Sequence, residues 1–298
     1  MKTQVFGSTE VRKLVEMEQF AVECSWLLSN LTPEILAEHR QWLGPKLVDP
    51  NSNQVYIAFH SYVIQTPSLN ILVDTCNGND KQRPSMPAWT NLKTPYLDRM
   101  KAMGLSPDDI DIVMCTHLHT DHVGWNTRLE NGRWVPTFRN ARYLMSRGEF
   151  EFFDKLHKSN PPQPVNRGSW IDSVLPVVEA RQAVFVDPGA PIDADLGDHI
   201  RLESAIGHTA GNVNIILNGG GRRACMSGDV FHHPIQFARP DLMNPADYNS
   251  EMAIAVRRRM IDSYADSDMM ILAAHFTDPT AGHIVRHGDG FRFKFENQ

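Results

Sequence analysis

The chain has 298 residues, 42% of them hydrophobic, with 29 basic against 35 acidic side chains and a net charge of −6. That supports a sizeable core in one large domain or two halves, and with no long run of one charge sign, nucleic acid is not an expected partner. No stretch has the length of a membrane span or a secretion signal, so the protein is expected to start near Met1 and to work in the cytoplasm, away from membranes.

Residues Thr9 to Leu43 carry leucine, methionine and charged side chains at roughly helical spacing, broken near Thr32-Pro33, which predicts two short helices within an N-terminal helical arm or lid over residues 1–50 of a single domain spanning 1–298. From Gln54 the pattern turns to branched and aromatic residues. Val55 to Ile64 and Asn70 to Val73 read as a hairpin closed by Thr-Pro-Ser, with Asp74 at its end. Trp89 to Met103 reads as a helix stopping at Gly104, followed by a buried strand from Ile110 to Cys115. Ala141 to Met145 reads as a strand, Arg147 to Leu156 as a helix, and Ser159 to Gly168 as a mobile polar loop bordering a cleft. Strand patterns return at Ala183 to Val186, Ile200 to Ser204, Asn212 to Leu217 and Arg223 to Met226, the last pair joined through Gly219-Gly220-Gly221. A helix follows over Asn249 to Tyr264, with Arg257-Arg258-Arg259 as its solvated face, and a buried strand from Met269 to Ala273 leads to His275. Both halves run strands first and then a helix, which suits two sheets packed face to face with helices outside. The four cysteines, Cys24, Cys76, Cys115 and Cys225, lie far apart and read as reduced packing residues.

The chemistry concentrates at His117-Leu118-His119-Thr120-Asp121-His122, just past a strand end. Residues two apart in an extended segment face the same way, so His117 and His119 can grip one metal while Asp121 and His122 turn to a second. A lone histidine is usually a hydrogen-bonded side chain of no chemical note, and His39, His60, His157 and His199 take that reading. The cluster does not, because three imidazoles and a carboxylate so crowded need a cation to hold them together. His208, Asp229 and His275 each stand just past a later strand end. Singly they are ordinary turn residues; together with the cluster they complete the set of about seven ligands that two metals require.

The run Thr116 to Asn126, the later Gly207-His208-Thr209, Ser227-Gly228-Asp229 and Ala273-Ala274-His275-Phe276 together resemble the metallo-β-lactamase-fold hydrolases, in particular the branch of acyl-homoserine-lactone lactonases, 4-pyridoxolactonase and methyl-parathion hydrolase. The resemblance covers roughly Val55 to Phe293. It implies an α+β fold, an αββα sandwich of two mixed β-sheets with helices on the outer faces. It also implies that His117, His119 and His208 hold one metal, that Asp121, His122 and His275 hold the other, that Asp229 bridges them, and that Asp74 orients a ligand histidine. There is one departure: the tyrosine that the lactonases place three residues after the bridging aspartate is His232 here, followed by His233. His232 is a candidate donor to a carbonyl or oxyanion. Trp125, Phe231, His233 and Phe276, next to the ligands, are candidates to line the substrate pocket.

The expected activity is hydrolysis of a lactone or small activated ester by a hydroxide bridging two divalent ions, zinc first, with iron, manganese or cobalt as the other choices. Asp121 would accept or return a proton as the leaving group departs. No Gly-x-Ser-x-Gly elbow suggests an acyl-enzyme instead. The same machinery acting on an organophosphate triester or aryl ester is the nearest alternative, followed by a single-iron thiol-linked dioxygenase and an inert metal-holding binding protein. A homodimer is implied by the resemblance only.

Overall fold

The structure, a computed structural model, describes residues 1–190 and 199–296. They fall into two compact units, one of residues 3–16 and 59–190, the other of residues 1–2, 17–58 and 199–296.

The chain opens on a hairpin of β1 (Gln4–Phe6) and β2 (Thr9–Glu23). This corrects the helical reading of residues 9–23, and with it the helical arm. Glu, Lys, Leu and Met favour helix locally, but Val11, Leu14, Glu16 and Val22 are buried by strand pairing, which overrides a weak propensity. Helix begins only with α1 (Cys24–Leu27) and α2 (Pro33–Leu43). α2 is well specified, since the Thr32 side chain accepts from the Ile35 N–H at 3.3 Å, Pro33 opens the first turn and Gly44 closes the helix at φ 73°.

β3 (Gln54–Gln65) and β4 (Asn70–Val73) form the expected antiparallel hairpin, and β3 is buried along nearly its whole length, as an interior strand should be. The helix expected over Trp89 to Met103 shrinks to α3 (Tyr96–Ala102) because Pro95 stands at its start. Next come β5 (Ile112–Met114), the short α4 (Thr120–Val123), a separate hairpin of β6 (Thr127–Glu130) and β7 (Arg133–Pro136), β8 (Arg142–Ser146), α5 (Arg147–Lys158), α6 (Leu175–Glu179) and β9 (Ala183–Val186). The first sheet has strand order β1-β2-β3-β4-β5-β8-β9, with β4, β5, β8 and β9 parallel. β9 therefore closes the first sheet and does not open the second.

The second sheet runs in chain order through β10 (Ile200–Ser204), β11 (Val213–Gly219), β12 (Arg222–Gly228), β13 (Met269–Ala273), β14 (Gly282–His287) and β15 (Gly290–Phe295). Only β12 and β13 pair parallel, with α7 (Ile235–Ala238) and α8 (Ser250–Tyr264) between them. Asn249 caps α8 by accepting from the Met252 N–H at 2.9 Å. Arg258 and Arg259 are exposed, whereas Arg257 is fully buried, which corrects its place on the solvated face. Its guanidinium donates to the carbonyls of Val230 at 2.9 Å, Pro240 at 2.7 Å and Leu242 at 2.9 Å, stapling the segment that follows β12. Among the described residues, no helix is long and apolar enough to cross a membrane.

The first unit also buries two cations around one carboxylate. Arg83 forks onto Asp172 at 2.6 and 2.9 Å, while Lys81 lies 3.6 Å from the same carboxylate and 3.6 Å from the centre of the Trp134 ring. With Asp172 already engaged, burial dominates at Lys81 and brings its pKa down to about 7, against the pull of Asp172. In the unfolded chain this lysine titrates near 10.5, so stability from this group is complete above that pH and is lost as pH falls towards 7. Chemical denaturation of Lys81→Met and the wild type between pH 7 and 10 should show the wild type alone gaining on the order of a few kcal/mol with rising pH. Parallel curves would contradict the assignment.

Candidate metal centre

In each unit a parallel strand pair delivers candidate ligands at its carboxyl ends. In the first unit Val73 of β4 sits beside Met114 of β5, so the residues that follow, Asp74 and Cys115-Thr116-His117, emerge side by side. The Asp74 carboxylate accepts from the Thr116 N–H and hydroxyl, both at 2.8 Å, and from His122 Nδ1 at 2.9 Å. A carboxylate accepts only, so His122 carries its proton on Nδ1 and presents the Nε2 lone pair. The single Thr116 proton is committed to Asp74, so the hydroxyl accepts from His117 Nδ1 at 3.1 Å, and His117 takes the same tautomer. One aspartate thus sets two imidazoles.

The ring centroids of His117 lie 4.8 Å from His119 and 4.0 Å from His122, and Asp121 Oδ2 lies 4.0 Å from His122 Nε2. His119 stands at the start of α4, which turns Asp121 and His122 away from the extended His117-Leu118-His119 segment. Gly124 lets the chain close behind this turn, because a Cβ there would fall 1.8 Å from the Asn77 carbonyl oxygen.

In the second unit the β12–β13 pairing aligns Gly228 with Ala273, and the next residues bring Asp229 and His275 together. Asp229 Oδ1 and Oδ2 lie 3.1 and 3.3 Å from His275 Nε2, and Oδ2 lies 3.3 Å from His208 Nε2 and 3.2 Å from His232 Nε2. Four buried groups therefore converge on one point. His208, Asp229 and His232 alone bring three ligand atoms within 4.8 Å of one another. His208 reaches this place after β10 through Gly207, where a Cβ would lie 2.4 Å from the Ala253 nitrogen of α8.

The outer nitrogens fix which atoms the rings present. His275 Nδ1 lies 3.0 Å from the Ala58 carbonyl and His208 Nδ1 lies 2.9 Å from Asp247, both acceptors, so each ring is protonated on Nδ1. Neutral, the two rings then aim Nε2 lone pairs at the Asp229 oxygens. That contact repels unless a proton or a cation stands between them. Burial disfavours the charged imidazole at His208, yet the bonds to Asp229 and Asp247 outweigh it and push its pKa up to about 9. The donor set, imidazole nitrogens with a shared carboxylate, suits a divalent transition ion. His232 differs: its buried Nδ1 has no hydrogen-bond partner among the described residues, and burial lowers its pKa despite Asp229.

The residues expected to line the pocket all have packing partners. Phe231 and Phe276 are fully buried in a cluster of rings with Phe237 and Phe293, and Trp125 stacks on Tyr96 while donating to Glu16 at 2.7 Å. His233 lies 3.1 Å from the Leu47 carbonyl through Nε2 and accepts from the Ile235 N–H through Nδ1, and burial lowers its pKa to about 4. All four are buried and packed, as the candidate ligands themselves are. Sequence reasoning missed Thr116 and Asp247. The first adjoins the motif, but Asp247 sits in Asn-Pro-Ala-Asp-Tyr, which carries no ligand pattern.

Residues 60–263, more than half of the chain, match the family model described as the metallo-beta-lactamase superfamily. The N-acyl homoserine lactonase AiiB of Agrobacterium fabrum is 27% identical over 150 residues, 46% of this chain and 47% of that protein. AiiB of Rhizobium rhizogenes matches to the same extent, so the chain spans about half the length of these curated relatives. Among solved structures, the dizinc quorum-quenching lactonase AidC superposes with TM-score 0.79 at 20% identity, covering 100% of this chain and 97% of that one. The hydrolase AbOPH gives the same TM-score and identity, covering 99% and 97%. The fold is that of these hydrolases.

Asp74→Asn removes the common acceptor of Thr116 and His122. Zinc affinity, measured by competition with a chromophoric chelator, should fall roughly 10–100-fold. An unchanged affinity would show that the tautomers do not depend on Asp74.

Proposed function

The chain belongs to the metallo-beta-lactamase superfamily, and on that premise we propose that it is a metal-dependent hydrolase that opens a lactone or a small activated ester. The observation that carries this reading is the Asp229 carboxylate, ringed by three buried imidazole nitrogens at 3.1 to 3.3 Å, two of them with tautomers fixed to present lone pairs. His117, His119 and His208 would hold one divalent ion, Asp121, His122 and His275 a second, and Asp229 would serve both, with zinc the first choice.

When bound, such ions supply a water of lowered pKa and an electrophile for a carbonyl oxygen. The remaining work belongs to the chain. Asp74 and Asp247 keep His122 and His208 in the ligating tautomer, and Thr116 relays the same instruction to His117. His232 is held near Asp229 but, unlike His208 and His275, has no partner on Nδ1 among the described residues to lock it as a ligand. It is proposed as the donor that meets the substrate oxygen, at the position where the lactonases carry tyrosine. Asp121 is proposed to return a proton to the departing oxygen. The activity named for the AiiB proteins and for AidC makes N-acyl homoserine lactones the first substrates to test.

A panel of lactones and a panel of aryl phosphotriesters, assayed on one zinc-replete preparation, should give kcat/KM on the order of 100-fold or more higher for the best lactone. The reverse order would replace the lactone with a phosphotriester. His232→Gln should keep its zinc and lose roughly 10²–10³-fold in kcat, the cost of one oxyanion donor. Full activity in that variant would remove His232 from the chemistry.

A further inference from the structure

The strongest unassigned feature lies behind the His117-Leu118-His119 segment. Whether two histidines spaced by one residue face the same ion depends on the two peptide planes that meet at the residue between them. Leu118 is fully buried, and both planes are held by side chains. Its N–H donates to Glu149 Oε1 of α5 at 3.0 Å, and its carbonyl accepts from Asn166 Nδ2 at 2.7 Å.

Asn166 occupies an unusual stretch of backbone. Asn166 and Arg167 are both left-handed, at φ 46° and 56°, followed by a π-turn over Trp170–Val174. Consecutive non-glycine residues in this region are costly, and such strain persists where surrounding contacts over-determine it. The contacts here are specific: Ser169 Oγ donates to the Asn166 carbonyl at 2.9 Å, and Arg167 Nη1 donates to Ser85 Oγ at 3.1 Å. The same segment also reaches the ligand turn indirectly. Asp172 of the π-turn holds Arg83, whose Nε donates to Thr120 Oγ1 at 2.7 Å, between His119 and Asp121. This stretch is the end of the loop read from sequence as a cleft border.

We propose that Asn166 is a positioning residue for the metal ligands: its side-chain amide, aimed by the left-handed pair, fixes the Leu118 carbonyl and so the angle between His117 and His119. The inference rests on the proposed metal reading.

Asn166→Gly tests it, because glycine accepts the same backbone with less strain while removing the amide. Asn166→Asp is the second variant; it tolerates the conformation but replaces a donor with an acceptor facing a carbonyl. Melting temperature and hydrogen exchange over residues 116–123 are measured on metal-free protein, and zinc affinity by chelator competition. The expected result for Asn166→Gly is a metal-free melting temperature lowered by no more than a few degrees, since relief of the left-handed strain offsets part of the lost buried hydrogen bond, with faster exchange confined to the turn and zinc binding weakened on the order of tenfold. Asn166→Asp should weaken zinc at least as much. Wild-type exchange rates or wild-type zinc affinity in the glycine variant would overturn the role of Asn166, as would exchange that quickens evenly over the whole chain. A wild-type chain that binds no zinc would instead overturn the metal reading, leaving the exchange data to judge the role of Asn166.

Discussion

Two imidazoles with protonated outer nitrogens cannot rest beside a carboxylate unless positive charge lies between them. His208 and His275 are held in that state by Asp247 and by the Ala58 carbonyl, and both aim Nε2 at Asp229. A buried arrangement of this kind is unfavourable when every group is neutral or anionic. The protein has two ways out, a proton on His208 or a divalent cation, and only the second adds chemistry. The outer acceptors, β12–β13 register and Gly207 contact all serve to keep these groups where the conflict arises.

Both donor sets use the same construction. Parallel neighbours deliver adjacent strand ends to one level, so an aspartate after one strand meets a threonine or histidine after the next. Asp74 beside Thr116 and Asp229 beside His275 are two versions of that geometry, one proposed to orient ligands and the other to act among them. Buried polar supports lie behind the ligands. Glu16, for instance, accepts from the Asn77 and Gly78 N–H groups at 2.9 and 3.1 Å and from Trp125 at 2.7 Å, gathering the loop that Gly124 packs against, although burial raises its pKa. Precision at the ligands comes from these second contacts.

The candidate ligands were legible because metal chemistry demands particular side chains at strand ends, and the His-x-His-x-Asp-His run satisfies that demand within six positions. Asp247, Asn166 and Glu149 were not, since each acts through one long-range hydrogen bond that leaves no local pattern. Among the secondary elements, β3, β4, β5 and α8 follow directly from apolar runs, the Thr-Pro-Ser turn and the Asn249 cap. Residues 9–23 misled because helix-favouring side chains were recruited into a sheet edge, where partner strands outside the window decide the outcome. The β14–β15 hairpin carried a signal that went unread: His-Gly-Asp-Gly between alternating apolar residues. Adjacency to a candidate ligand in sequence says nothing about which side of the backbone a ring occupies. Phe231 and Phe276 turn into the core while Asp229 and His275 turn to each other.

The most direct test is elemental analysis of the chain purified without chelators and loaded with zinc, with bound metal counted per folded molecule after removal of excess. About two tightly held ions per chain are predicted by the proposed set of seven ligands, Asp229 among them. A count of zero in a chain that remains folded would contradict the claim that these imidazoles are arranged for cations. A single tightly held iron would point to oxidative chemistry in place of hydrolysis.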